Sequence, residues 1–262
     1  MRITYLGTCS GTEPMPGRKH VSFVVEYEGA VYWFDAGEGC SYTAHLAGID
    51  LLATRAIFIT HTHMDHIGGL GNLLWNMRKV NGLPEYGAGR LSGRRIAVFI
   101  PNMQMWEGLM QLLSSTEGGF EIDFSLNVEK CRDGLCYNED GFSVTMLHNR
   151  HLGEPAEGEE WESFSFLIEA EGRGIVYSGD VADISELDPL IDGADLVLME
   201  TGHHRVEAVC EYLAETGKDF GRLGFIHHGR EILRDPVGEL QKARGILGDR
   251  VFIADDGMSM EL

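Results

Sequence analysis

Ile59-Thr60-His61-Thr62-His63-Met64-Asp65-His66-Ile67-Gly68-Gly69 is the stretch on which the reading of this chain turns. Just upstream, Ala56, Ile57, Phe58 and Ile59 form a short apolar run rich in β-formers, so Arg55 to Ile59 is expected to be a buried strand. Downstream, Leu70, Leu73, Leu74 and Met77 recur every three or four residues, the period of a helix. Three histidines and a carboxylate therefore sit on a short loop between a strand's C-terminal end and a helix. In extended backbone His61 and His63 project to the same side, while Asp65 and His66 turn toward a second point nearby. Such a set suits two metal ions close together with nitrogen and oxygen ligands, Zn²⁺ above all, with Mn or Fe also accepted. Gly68 and Gly69 allow the backbone to approach closely. A surface cluster of polar residues is the bland alternative, but no turn separates the apolar strand from the histidines.

Working outward, composition bounds what such a site can serve. The 262 residues are 44% hydrophobic, enough to bury a large core as a single domain spanning 1–262. Lys+Arg 21 against Asp+Glu 41 gives a formal charge of −20. Nucleic-acid affinity is drawn mostly from Lys and Arg on phosphates, so this balance disfavours a large polyanionic partner, although a local basic face remains open. No run approaches the roughly 18 apolar residues of a membrane span, and Met1 to Gly7 goes straight into a strand without a signal peptide's core. Cys9, Cys40, Cys131, Cys136 and Cys210 are odd in number and scattered, so they are expected to be reduced thiols in a cytoplasmic protein.

Further strands are expected at Arg2 to Gly7, at Val21 to Tyr27 and Ala30 to Asp35 as a hairpin around Glu28-Gly29, and at Ile96 to Ile100. Gly7 to Pro14 is a glycine-rich loop, open to anion binding or to a plain strand-to-turn role. Asp35 closes its strand, where it could cap a helix through Tyr42 to Leu46. Arg78 to Arg95 is the one locally basic segment and reads as a solvated loop before it reads as a phosphate contact. A helix with Met105, Trp106, Leu109, Met110 and Leu113 on one side is followed by strands at Phe120 to Val128 and Phe142 to Leu147.

The second of those strands ends at His148-Asn149-Arg150-His151, then an acidic loop runs from Gly153 to Glu162 and is expected to be solvated surface flanking the site. Gly174 to Tyr177 leads into Ser178-Gly179-Asp180, an apolar strand that delivers a carboxylate at its C-terminal end. Ala194 to Glu200 runs into Thr201-Gly202-His203-His204 and a helix from Val206 to Thr216; either histidine could donate a proton or simply flank the helix. Leu223 to His227 is a strand followed by His228. Asp235-Pro236 opens a helix with proline in its first position, and Val251 to Leu262 is expected to close the chain as a strand pair.

His-x-His-x-Asp-His followed by Gly-Gly resembles the signature of the metallo-β-lactamase superfamily, and the likeness runs through essentially the whole chain. The resemblance implies an α/β fold, a four-layer αββα sandwich of two mixed β-sheets with outer helices and the metals at one sheet edge. Leu6-Gly7-Thr8, Phe34-Asp35-Ala36-Gly37-Glu38 and Ile67-Gly68-Gly69-Leu70 resemble ribonuclease Z and its small phosphodiesterase cousins. By that likeness His61, His63 and His151 hold one ion, Asp65, His66 and His227 the other, and Asp180 bridges. Asp35 becomes an orienting residue beneath the ligand loop, with Asp65 and His203 in catalytic roles. His148, His228 and His204 are the respective alternatives to His151, His227 and His203. Zinc β-lactamases carry Cys where Asp180 stands, and the oxygen-reducing di-iron branch has Glu where His63 stands, so the resemblance points to hydrolases with two matched sites.

The likeness implies a hydrolase in which two divalent ions activate water, acting on a small phosphodiester. Ribonuclease Z proper inserts a long Gly- and Lys-rich arm between its third histidine and the bridging aspartate; here only an acidic loop and two strands separate His151 from Asp180. The expected partner is therefore a small molecule, not nucleic acid or membrane, with homodimerisation left open. Thioester, carboxylic ester or lactone hydrolysis is the alternative within enzymes, and tRNA 3′ processing a weaker one. A metal-binding scaffold without turnover is the alternative outside them.

Overall fold

The computed structural model describes residues 1–116 and 118–262. Two seven-stranded sheets lie face to face. The first contains β1 (Arg2–Gly7), β2 (Ser22–Tyr27), β3 (Ala30–Phe34), β4 (Thr54–Phe58), β5 (Arg95–Ile100) and β6 (Ser125–Lys130) in that spatial order. The second contains β7 (Gly134–Glu139), β8 (Phe142–His148), β9 (Phe164–Ala170), β10 (Arg173–Tyr177), β11 (Ala194–Thr201), β12 (Phe220–His228) and β13 (Val251–Ile253), also in order. β14 (Ser259–Glu261) returns to the first sheet and pairs antiparallel with β1. Each sheet is mixed: β1 to β3 are antiparallel and β3 to β6 parallel, while β7 to β10 are antiparallel and β10 to β13 parallel.

Aromatic side chains fill the space between the sheets. Phe23, Phe34, Phe58 and Phe99 stack in a row across four neighbouring strands at centroid spacings of 5.0, 5.0 and 5.1 Å. Rings on neighbouring strands lie close enough to interact directly, which adds to the gain from burial. Outside the first sheet lie α1 (Cys40–Leu46), α2 (Met64–Ile67), α3 (Leu70–Asn81) and α4 (Met103–Ser114). Their buried residues, among them Leu70, Leu73, Leu74 and Met77 at the expected spacing, form an outer core with Trp33 and Ile57. Outside the second sheet lie α5 (Asp188–Ile191), α6 (Val206–Thr216), α7 (Arg230–Arg234) and α8 (Pro236–Leu247), packed over Val197 and Phe225. The four-layer αββα sandwich is thus present, and Asp235 caps α8 by accepting from Gly238 N. No described helix is long and apolar enough to cross a membrane.

Several expected elements differ. The run from Phe120 is not strand before Ser125. Phe120, Ile122 and Phe124 alternate like a strand but pack into the outer core, with Phe120 stacked on Trp75. β7 has no counterpart in the sequence reading, because Gly134 to Glu139 is largely exposed at the sheet's edge and carries little apolar signal. The chain does not close as a strand pair: β13 joins the second sheet and β14 the first, so the two never bond each other. The basic segment is not wholly loop, since Arg78 and Lys79 form the last turn of α3 and Arg95 begins β5.

Candidate metal centre and active site

The expected metal-binding residues lie at strand ends, not beside a sheet edge: β4 and β10, which lead into five of them, and β12, which ends with a sixth, are interior strands. Parallel strands align their C-terminal ends, and side chains on the loops that follow converge there. The loop after β4 supplies His61, His63, Asp65 and His66, the last two on α2. The β8–β9 connection supplies His151, the turn after β10 supplies Asp180, and β12 supplies His227. Gly69 is required for this convergence, because a Cβ there would stand 2.2 Å from the Gly37 carbonyl oxygen.

The donors fall into three groups: His61, His63, His151 and Asp180; Asp65, His66 and His227; and Asp180, Glu200, His203 and His227. In the first, His61 Nε2 and His63 Nδ1 are 3.1 Å apart, and His151 Nε2 is 3.3 Å from His63 Nδ1. Asp180 Oδ2 lies 3.8 Å from His61 Nε2 and 3.6 Å from His151 Nε2. In the second, Asp65 Oδ2 lies 3.0 Å from His227 Nε2 and 3.6 Å from His66 Nε2, while Asp180 Oδ1 is 3.3 Å from His66 Nε2 and 3.3 Å from the other ring nitrogen of His227, Nδ1. Donors held about 2.0–2.1 Å from one ion in a tetrahedron stand about 3.3 Å from each other; the 3.1–3.8 Å spacings of the first group, and the 3.0 and 3.6 Å spacings of the second with His227 donating through Nε2, lie near that value. Three buried donor atoms, His66 Nε2, Asp180 Oδ1 and His227 Nδ1, have no hydrogen-bond partner among the described residues. Leaving such atoms unpaired is costly, and an ion satisfies them. The residues present fit a metal.

Asp35 organises the loop from below. Its buried carboxylate accepts from Thr60 N at 2.8 Å, from Thr60 Oγ1, from His66 Nδ1 at 2.8 Å and from the Tyr177 hydroxyl at 2.7 Å. It does not cap α1, whose N-cap is Gly39. The bond to His66 Nδ1 leaves Nε2 facing the centre, the arrangement by which carboxylates orient metal-binding imidazoles. Asp35 and His227 both hold left-handed backbone, with φ of 55° and 52°, a strain of about 1–3 kcal/mol each that surrounding structure must offset.

The electrostatics favour a cation. Burial opposes ionisation of Asp180, but His227, His66 and His61 hold it well below the usual carboxylate range. Burial likewise opposes Asp65, which its bond from His227 and the charge of His66 bring down to about 2. Burial works against protonating His66 and His227, yet the surrounding carboxylates raise both, His227 to about 9. The same converging negative field attracts a divalent ion. Burial pushes His61 well below the normal imidazole range, which keeps it a neutral donor.

The alternatives separate cleanly. His148 stands apart from both groups: its Nδ1 is 2.6 Å from Asp133 Oδ2 and its ring stacks on Trp161 at 4.1 Å. His228 turns away to the Ala254 carbonyl at 2.7 Å, and burial lowers its pKa to about 3. His204 bonds the Val181 carbonyl, whereas His203 Nδ1 lies 3.7 Å from Asp180 Oδ2. Sequence reasoning missed Glu200 and Tyr177. Glu200 is fully buried, accepts from His203 N at 2.9 Å and lies 3.1 Å from His203 Nδ1. A carboxylate closing an apolar strand was its signal, the same one that marked Asp180. The acidic loop is not simply solvated: Glu160 pairs with Lys130 and Glu162 accepts from Asn102. In the basic segment Arg90 pairs with Asp50.

A family model described as Anti-Pycsar protein Apyc1 matches residues 1–209. The chain belongs to that family. It is similar to the ribonuclease Z of Archaeoglobus fulgidus, 24% identical over 316 aligned positions that cover 100% of this chain and 97% of the relative. The ribonuclease Z of Methanothermobacter thermautotrophicus is 32% identical over 154 residues, 58% of this chain, and that match spans less than half of the relative, 45%. Among solved structures, the metallo-β-lactamase fold protein YhfI from Bacillus subtilis superimposes with a TM-score of 0.72 at 18% identity, covering 99% of this chain and 98% of that one. The chain is a ribonuclease Z-like, metal-dependent hydrolase of the metallo-β-lactamase superfamily.

Proposed function

We propose that this protein is a dinuclear metal-dependent hydrolase of small phosphodiesters, such as aryl or cyclic nucleotide diesters. The observation that carries the reading is the division of Asp180, with Oδ2 turned to the His61, His63 and His151 group and Oδ1 to His66 and His227. One carboxylate shared in this way is what a pair of ions needs as a bridge. When bound, two divalent ions, Zn²⁺ foremost, polarise the phosphoryl oxygen and acidify water. The P–O bond to the leaving group breaks as the water oxygen bonds to phosphorus. Asp65, held ionised, orients the attacking water, whose proton is released to solvent, and His203 donates a proton to the leaving oxygen through Nε2.

His203 is suited to that task because Glu200 holds its Nδ1, raising its pKa above the ordinary imidazole value and keeping the acid form to higher pH. The short His151-to-Asp180 connection and the charge of −20 support a small substrate over a precursor tRNA. Side-by-side turnover of a chromogenic phosphodiester, a thioester, a lactone and a precursor tRNA by the metal-reconstituted protein tests the proposal. Diester hydrolysis should dominate; thioester or lactone cleavage without diester cleavage overturns it, as does efficient tRNA cleavage.

A further inference from the structure

β12 departs from regular pairing where it delivers its ligand. Its register with β11 steps from Glu200–Ile226 to Thr201–His228, so His227 is the extra residue of a β-bulge, and it holds the left-handed φ of 52°. A bulge re-aims the side chain it carries. The buried imidazole faces two carboxylates, with Nε2 3.0 Å from Asp65 Oδ2 and Nδ1 3.3 Å from Asp180 Oδ1. Its Nδ1 edge also meets the main chain of Gly202. A Cβ on Gly202 would stand 2.6 Å from His227 Nδ1 and 2.7 Å from its Cε1. The backbone of Gly202 lies outside the left-handed region, so it is the missing side chain, not the conformation, that calls for glycine. Gly11, on the loop after β1, stands in a milder relation to Asp65: a Cβ there would lie 3.0 Å from Asp65 Cγ and Oδ2.

We propose that Gly202 is a positioning residue for His227, and Gly11 a weaker one for Asp65. Together they govern the ion held by Asp65, His66 and His227 and leave the His61, His63 and His151 ion alone. The inference rests on the two-ion reading of the centre. Non-bonded heavy atoms settle at about 3.5–4.0 Å, so a Cβ at Gly202 has to be relieved by a movement of roughly 1 Å. The backbone is held on both flanks of Gly202: the Thr201 carbonyl accepts from Gly229 N at 3.1 Å, and His203 N donates to Glu200 Oε2 at 2.9 Å. The ring therefore gives way, and a metal ligand tolerates a displacement of only about 0.2 Å. At Gly11 the overlap is smaller and falls on the end of a side chain, so Asp65 yields by a fraction of that distance. None of the three atoms nearest either Cβ belongs to His61, His63 or His151.

Metal binding, not turnover, tests this. Stepwise chelator-competition titrations with Zn²⁺ give separate affinities for the two ions. Electron paramagnetic resonance of the Mn²⁺-loaded protein reports whether the two are coupled through Asp180. The wild type should bind two ions. Gly202→Ala should weaken one of them about 10–100-fold, the range for residues that support metal ligands. It should also lose the coupled Mn²⁺ signal, while the melting temperature of its metal-free form stays close to that of the wild type. Gly11→Ala should weaken the same ion by a smaller factor. Adding His151→Ala to Gly202→Ala should remove the remaining ion, whereas adding Asp65→Ala should leave it. Gly245→Ala, in α8 where a Cβ meets nothing within 4 Å, should keep both ions. Wild-type affinity for both ions in Gly202→Ala overturns the inference, as does equal weakening of the two or a metal-free variant that no longer folds. A wild type that binds fewer than two ions instead overturns the two-ion reading, and the inference with it.

Discussion

Replacing Tyr177 by Phe removes one oxygen atom and tests how the centre is held together. The hydroxyl is fully buried and donates across the gap between the sheets, from the end of β10 to the Asp35 carboxylate at the end of β3, over 2.7 Å. The ring's edge contact with Phe23, at 5.0 Å between centroids, survives the substitution, so no cavity larger than the lost oxygen opens. A hydrogen bond to a charged group contributes about 1.5–3 kcal/mol. Asp35 retains the donors Thr60 N, Thr60 Oγ1 and His66 Nδ1, which places the cost near the middle of that range, about 2 kcal/mol. For a chain of this size that lowers the melting temperature by roughly 4–8 °C. Because Asp35 orients His66, metal affinity should fall too, by about tenfold, the low end of the range for residues behind metal ligands. Thermal melts of metal-free protein and chelator-competition titrations of loaded protein measure the two effects separately. Wild-type values in both would refute the idea that Tyr177 supports the site through Asp35. A loss of metal without any loss of stability would refute the hydrogen-bond account of the magnitude.

Other outcomes follow from the same geometry. His151→Ala should reduce metal stoichiometry measured by elemental analysis, whereas His148→Ala should retain it, since His148 faces Asp133 and Trp161. Glu200→Gln should shift the alkaline limb of the rate profile to lower pH, because Glu200 raises the pKa of His203 and the acid form is then lost earlier; a pH profile of kcat reads this directly. His228→Ala should keep its metal but lose about 1–3 kcal/mol of stability, read by denaturant unfolding, since it leaves the buried Ala254 carbonyl without the His228 bond. Precursor tRNA should be cleaved poorly at all ionic strengths, measured by gel assay between low and physiological salt.

Much of the candidate centre was legible because its proposed ligands are contiguous or follow strongly apolar strands. His61 to His66 lie within six residues, and Asp180 ends a run that reads as a strand. Choosing between neighbours was harder. His148 and His151 share one strand end, and only the turn at Arg150 decides which imidazole returns to the site. Tyr177 escaped because it ends an apolar strand as one more aromatic, with nothing to say that its hydroxyl faces Asp35, and Glu200, which carried the same signal as Asp180, was passed over for the histidines that follow it. In the fold, Phe120, Ile122 and Phe124 alternate as a strand would. They cover helices instead, a choice made by tertiary packing that periodicity cannot express. Likewise the final two strands look like a hairpin until the positions of both sheets are known.

The donors are divided between the two halves of the chain: His61, His63, Asp65 and His66 follow β4 in one sheet, and His151, Asp180 and His227 belong to the other. The cysteines are all free, so no disulfide joins the halves, and apart from β14 each sheet is woven from its own half of the sequence. An ion bound here is therefore a fastener between sheets as much as a reagent. By linkage, occupancy at a hundred times the dissociation constant adds about 2.7 kcal/mol to the assembled state, and that increment acts specifically against separation of the halves. Chelation would loosen the sandwich along its midplane before it frayed either sheet. The availability of metal in its surroundings would then govern the lifetime of the protein as well as its turnover.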